Sequence, residues 1–269
     1  MSLFYILKKF LFTGLFIIVS LFLYGEDELV KKGDVCFGRR NDFLDLKEAI
    51  DNIEIAINSY KRVLEKGFDE IVFYKLTKAI DFKYSFLLRT DESKIEGIKL
   101  CKFILDEIDK YPIASKDKNS SVYILYAKAT LGKILINLLD KKDNKLLLID
   151  IARKVKDSAE RLLLLDEEFE GYIAYLILGR LHYKTPKIIF VLPWPDKHKS
   201  KEYLQIYLSH NPDSLVGLYF LADTLYSLGQ KENAWRLYLK VVGSKARKSF
   251  YYEDKSIIEE AGNKMKDFY

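Results

Sequence analysis

The sequence predicts an all-α protein of stacked antiparallel helix pairs, on three observations. Apolar residues recur at helical spacing almost continuously from about residue 27 to the end. Glycine and proline number only 13 and 5 in 269 residues, far fewer than a sandwich or barrel of short strands needs. Short polar joints cut the periodic stretches into segments of roughly 13 to 22 residues, the length of ordinary helices. With 49% apolar and 14% aromatic residues the chain can fill a sizeable core, which excludes a disordered polymer.

At the N-terminus, Lys8 and Lys9 precede an uncharged stretch from Phe10 to Gly25, followed by Glu26, Asp27 and Glu28. This is the form of a secretory signal in residues 1–25. The stretch is 16 residues long, short of the roughly 20 that span a bilayer as a helix. Gly25 supplies a small residue for cleavage, but Leu23 and Tyr24 depart from the usual small-residue pattern. An anchor retained through residues 8–25 therefore stays open beside a cleaved signal. Either form places the bulk of the chain outside the cytoplasm, periplasmic or otherwise exported. No cysteine lies between Phe10 and Val35, so a lipid-modified cysteine directly after the apolar run is excluded.

Loss of residues 1–25 removes Lys8, Lys9 and no acid, so the net charge of +5 becomes +3. Acids and bases are interspersed, and the groups Lys197–Lys201 and Lys245–Lys248 read as solvated helix ends. Neither nucleic acid nor an anionic membrane is expected as a partner on this composition. The two cysteines, Cys36 and Cys101, stand 65 residues apart in an oxidising compartment, and a bridge or two buried thiols fit equally.

The joints fall at Gly67–Asp69, Thr90–Ser93, Pro112–Ser121, Asp140–Asn144, Asp166–Glu168, Pro186–Pro195, His210–Ser214 and Gly243–Ser244. Asp91 and Ser93 are candidate caps for the helix that follows the second joint, and Asn211 or Asp213 for the one after the seventh.

Between the joints a repeat is visible. Leu218, Leu221, Ala222 and Leu225 form a first helix, Gly229 ends it, and Ala234, Tyr238 and Val241 form a second. Ala222 and Ala234 sit where a large residue would hold the helices apart. Tyr175, Leu178, Gly179 and His182, then Ser200, Leu204 and Tyr207, repeat the pattern, with a turn too long by about nine residues for a 34-residue unit. The extra stretch, Thr185 to Pro195, is bulky and apolar. Ala49, Ile53 and Ala56, then Phe73, Leu76 and Ile80, then Tyr126, Ala127, Leu131 and Gly132, are weaker echoes upstream. The pattern is tetratricopeptide-like, an α-solenoid, and predicts a single helical domain over residues 27–269.

Arg40-Asn41-Asp42, the run Leu46 to Ile50, Gly97, Tyr126-Ala127, Leu178 to Tyr183 with its Pro-bounded insertion, and His210-Asn211-Pro212 together resemble the T-component of tripartite ATP-independent periplasmic (TRAP) transporters. The resemblance spans roughly residues 34–243 and rests most on the insertion following the Leu-Gly-Arg helix. It implies a homo-oligomeric periplasmic protein that associates with a transporter's substrate-binding protein and handles a small hydrophobic ligand. Two features depart from that family. Its members are commonly lipoproteins, whereas this chain lacks the signal-end cysteine, and their insertion is often glycine-rich, whereas Phe190 to Pro195 is bulky.

No catalytic constellation emerges, so the expected protein is not an enzyme. His182, His198 and His210 are scattered without zinc-site spacing, so neither a metal nor another cofactor is expected. His182 stands where the repeat packs a tyrosine and reads as a structural histidine. Nineteen Tyr and 17 Phe favour a recognition surface, since aromatics supply contact area at low entropy cost. Phe190 and Trp194 in the insertion, with the adjacent Tyr183, are the candidate partner- or ligand-binding residues. Trp194 folded back as a plug over a helix face is the alternative. The function expected first is that of a periplasmic adaptor of a solute transporter, and second a general envelope scaffold.

Overall fold

The computed structural model describes residues 25–42, 45–88, 90–110 and 118–266. All of the signal or anchor expected in residues 1–25 except Gly25, and most of the joint at Pro112–Ser121, lie outside the described residues. Among the described residues the protein is all-α, and its sole β feature is an isolated antiparallel bridge between Ile188 and Leu192. No described helix is long and apolar enough to cross a membrane.

The elements are α1 (residues 25–38), α2 (Leu46–Leu64), α3 (Glu70–Phe82), a π-helical turn (Lys83–Leu87), α4 (Asp91–Asp109), α5 (Lys118–Leu138), α6 (Lys145–Leu165), α7 (Phe169–Lys184), α8 (Lys197–His210), α9 (Leu215–Ser227), α10 (Lys231–Val242) and α11 (Tyr251–Lys266). They divide into two compact units, up to Leu76 and from Thr77.

In the first unit Asp45 caps α2, its Oδ1 accepting from the Lys47 and Glu48 amides at 2.7 and 3.3 Å. Ala49, Ile53, Ala56, Ile57 and Tyr60 form its buried stripe at helical spacing. The Tyr60 ring packs on Gly33 of α1 so closely that a Cβ there would lie 2.6 Å from it. Asp34 accepts from the Tyr60 hydroxyl at 2.9 Å and from Lys75 at 2.6 Å, tying α1, α2 and the start of α3 together.

The second unit is an α-solenoid of consecutive helix pairs, α5 with α6, α7 with α8 and α9 with α10, each stacked on the next. Small residues set the spacing within pairs, as the sequence predicts. A Cβ on Gly179 would stand 2.6 Å from Leu204 Cγ, one on Gly132 would overlap Val155, and Ala222 and Ala234 are fully buried. Gly229 ends α9 at φ +78°, a left-handed conformation that costs glycine nothing, with the Gln230 amide bonded back to the Leu225 carbonyl.

Two expected caps are corrected. Thr90, rather than Asp91 or Ser93, caps α4: Leu88 is already extended, so the helix starts one residue early and Thr90 Oγ1 meets the Ser93 amide at 3.2 Å. Ser214, rather than Asn211 or Asp213, caps α9 through the Gly217 amide. Asn211 instead donates its side-chain amide to the carbonyls of Gly171 and Tyr207.

The first turn of α7 is interrupted by a left-handed kink that the sequence does not announce. Glu170, Gly171 and Tyr172 have φ of 48°, 65° and 67°. For Glu and Tyr this costs roughly 1 to 2 kcal/mol each. Lys78 pairs with Glu170 at 2.9 Å, Asn211 holds Gly171, and Tyr172 stacks on His210 at 3.6 Å. At the other end α11 packs on α9 and α10 and reaches back to the π-helical turn, and Tyr252 meets Phe82, at the end of α3, edge-on at 6.3 Å.

Candidate cavity and insertion

Ile173, Ile177, Arg180 and Lys184 follow one another at spacings of four, three and four, so they share one face of α7. That face, with facing residues of the π-helical turn, α5, α9 and α11, lines a cavity of about 810 Å³ in the second unit. Ile134, Ile173, Ile177, Val216, Phe220 and Ile257 make the apolar part of its lining, and acids including Glu253 and Glu260 line it as well. Most cations around it are matched: Lys133 with Asp81 at 2.8 Å, Arg247 with Asp254 at 2.7 Å and Arg180 with Asp223 at 2.5 Å. Among the described residues Lys184 makes no ion pair, and its side chain is partly open to solvent. Desolvation against the surrounding wall, and then repulsion from Arg180, push its pKa down to about 8.

A polar hub stands at the cavity's edge. Asp223 on α9 is 3% exposed, and it accepts from Arg180 of α7 on Oδ2 and from Tyr238 of α10 at 2.7 Å on Oδ1. The guanidinium lies 4.0 Å over the Phe220 ring and 5.0 Å from the centre of the Tyr183 ring. Burial, and then Asp223, raise the Tyr238 phenol far above its ordinary range, so it remains a donor. A second, smaller depression of about 500 Å³ lies among α4, α5 and α6. Its charges pair with each other, Lys128 with Asp109 and Lys154 with Asp150.

The three sequence-predicted residues do not form one site. Tyr183 is half-buried beside Arg180 and belongs to the hub. Trp194 is half-buried, edge-on to His182 at 5.1 Å, with the Lys156 ammonium 5.7 Å from its ring. Phe190 is 97% exposed at the tip of the insertion. Ile188 and Leu192 exchange backbone hydrogen bonds of 3.0 and 2.7 Å, making a miniature hairpin in which Phe190 takes φ +69°. Leu192 is buried, and Arg153 donates to the Val191 carbonyl at 2.5 Å. Cys36 and Cys101 are free thiols, and burial followed by Asp81 pushes Cys101 up to about 12.

His182 anchors the insertion's base, its Nδ1 accepting from the Asp196 amide at 3.2 Å. Burial, then Lys199 and Lys156, push its pKa down to about 4 from 6.5. A depressed histidine favours folding only while neutral. Its contribution, about 3 kcal/mol, is complete above pH 6.5 and is lost as pH falls toward 4. In His182→Asn, whose Oδ1 can accept the same amide, urea midpoints should lose less between pH 7.5 and pH 4.5 than in the native protein (pH values about these). Equal losses would remove His182 as the cause.

Fold and site together define a helical-repeat protein of the α-solenoid class with a cavity of mixed apolar and charged lining on its first-helix side. No protein-family model matches the chain, and no curated protein matches it. Among the described residues no group of three or more His, Cys, Asp or Glu is placed to hold a metal ion. The cavity was legible only in part: the α7 spacing marks a second face, but the return of α11 to the π-helical turn has no local signal.

Proposed function

We propose that the protein is a periplasmic tetratricopeptide-like adaptor that holds a small, apolar-bodied ligand in its concave cavity and associates with a transporter's substrate-binding protein. The cavity carries this reading: about 810 Å³ lies within the range of small-molecule sites. The apolar part of the lining, beside Lys184, which forms no ion pair among the described residues although Asp223 and Glu260 are near enough to act on it, suits a ligand with an apolar body and an anionic end. The resemblance to the TRAP T-component supplies the partner class.

A neutral naphthylamine fluorophore is expected to bind saturably, and Val216→Trp, which fills the cavity, to weaken it at least about tenfold. Unchanged binding would put the ligand elsewhere. Lys184→Met is expected to weaken an anionic naphthalene sulfonate about fivefold while leaving the neutral probe unchanged, as befits a partly exposed ion pair. Affinity capture from envelope extract, with captured proteins identified by mass, should return a substrate-binding protein. Its absence would sink the adaptor role but not the cavity.

A further inference from the structure

The insertion holds a feature that the cavity does not use. Ile189, Phe190 and Val191 are consecutive and 71%, 97% and 42% exposed. Phe190 is kept in a left-handed conformation that glycine or asparagine would adopt more readily. The tip is nevertheless firmly presented, by the Ile188–Leu192 pairing, the buried Leu192, the Arg153 bond to Val191 and the Trp194–His182 contact. A strained, rigid and fully exposed aromatic has no gain inside the fold.

Cations surround the base of the tip. Lys187 is close enough to act on Asp196, Lys199 on His182, and Lys197 opens the adjacent helix α8. Lys187, Lys197, Lys199 and Arg153 form no ion pair with a described carboxylate, and Asp196 is engaged as the α8 cap through the His198 amide at 2.7 Å. The run Lys197–Lys201 reads from sequence as a solvated helix end, and in the fold Lys199 of that run stands close enough to His182, at the base of the insertion, to act on it. Three large apolar side chains without a polar partner group, collared by unpaired ammonium groups, complement a hydrocarbon layer edged by phosphates.

We propose that this hairpin is a membrane-docking tip, inserting Phe190 with Ile189 and Val191 into an anionic leaflet while Lys187, Lys197 and Lys199 engage headgroup phosphates. The proposal goes beyond the cavity and does not depend on it.

The full chain is mixed with phosphatidylcholine vesicles with or without phosphatidylglycerol, the acyl chains brominated to quench tryptophan on contact. Residues 1–24 are common to all variants, so any binding of their own does not move with position 190. In a Trp235→Phe background, Phe190→Trp is expected to add emission that is quenched by the phosphatidylglycerol vesicles and much less by phosphatidylcholine alone. Phe190→Asp should reduce vesicle binding roughly tenfold, and joint reversal of Lys187, Lys197 and Lys199 to Glu should abolish the preference for anionic lipid. Circular dichroism checks that each variant stays helical. An unquenched tip, equal response to both vesicles, or loss of captured protein or of self-association in Phe190→Asp with vesicle binding intact would overturn the proposal.

Discussion

Asp223→Ala is expected to destabilise the protein by about 3 to 5 kcal/mol, because it strands a largely buried guanidinium and a buried phenol at once. Arg180 and Asp223 are 12% and 3% exposed in their side chains, and Tyr238 is fully buried. Water cannot take over what the carboxylate supplied. Since a whole domain is stable by only about 5 to 15 kcal/mol, one such loss is a large fraction of the total. Asp223→Ala combined with Arg180→Met should recover much of it, as removing both charges removes the uncompensated one. The urea midpoints of the two single variants and the double variant measure this coupling. If Asp223→Ala shifts the midpoint no more than an ordinary surface change, the hub does not hold α7, α9 and α10 together.

Gly179→Val is expected to cost about 3 kcal/mol and to lower the melting temperature by roughly 6 to 12 °C. The first carbon of any side chain there would stand 2.6 Å from Leu204 Cγ and 3.4 Å from the Leu204 backbone nitrogen. The Leu204 branch carbon would have to move, and with the backbone nitrogen already in contact the two methyl groups of valine leave room for that only if α8 moves off α7. Gly229→Ala is the control. Its site is open, and only the φ of +78° penalises the change, at about 1 kcal/mol. Calorimetric melting of the two variants side by side tests the claim, and equal shifts would mean that α7 and α8 are not in tight contact.

The repeat residues were legible because each answers to a local rule. Leu218, Leu221 and Leu225 recur at helical spacing, and Ala222, Gly179 and Gly132 are small where two helices must nearly touch. Gly229 stands where a helix turns left-handed. His182 was legible for the same reason, as a histidine in a packing position. The caps at Thr90 and Ser214 were placed a few residues away, because several Ser, Thr, Asp and Asn neighbours offer the same acceptor chemistry and only the backbone path selects one. The left-handed turn at Glu170–Tyr172 left no signal beyond Gly171, since its partners Lys78, His210 and Asn211 are distant in sequence.

The grouping of Tyr183, Trp194 and Phe190 followed sequence proximity, and packing separated them. Tyr183 lies beside a guanidinium, Trp194 lies on a histidine, and Phe190 is left in the open.

By itself the sequence determined that the chain is helical, where its helices break and which residues let neighbours nest, because periodicity, small-residue spacing and turn chemistry act over a few positions. Only the tertiary structure decided that α11 returns to the π-helical turn, that Lys184 lines a cavity with Glu260 without forming an ion pair among the described residues, and that Phe190 is raised on a cationic base. Each of these joins residues far apart along the chain, where the deciding quantities are distance and burial rather than order.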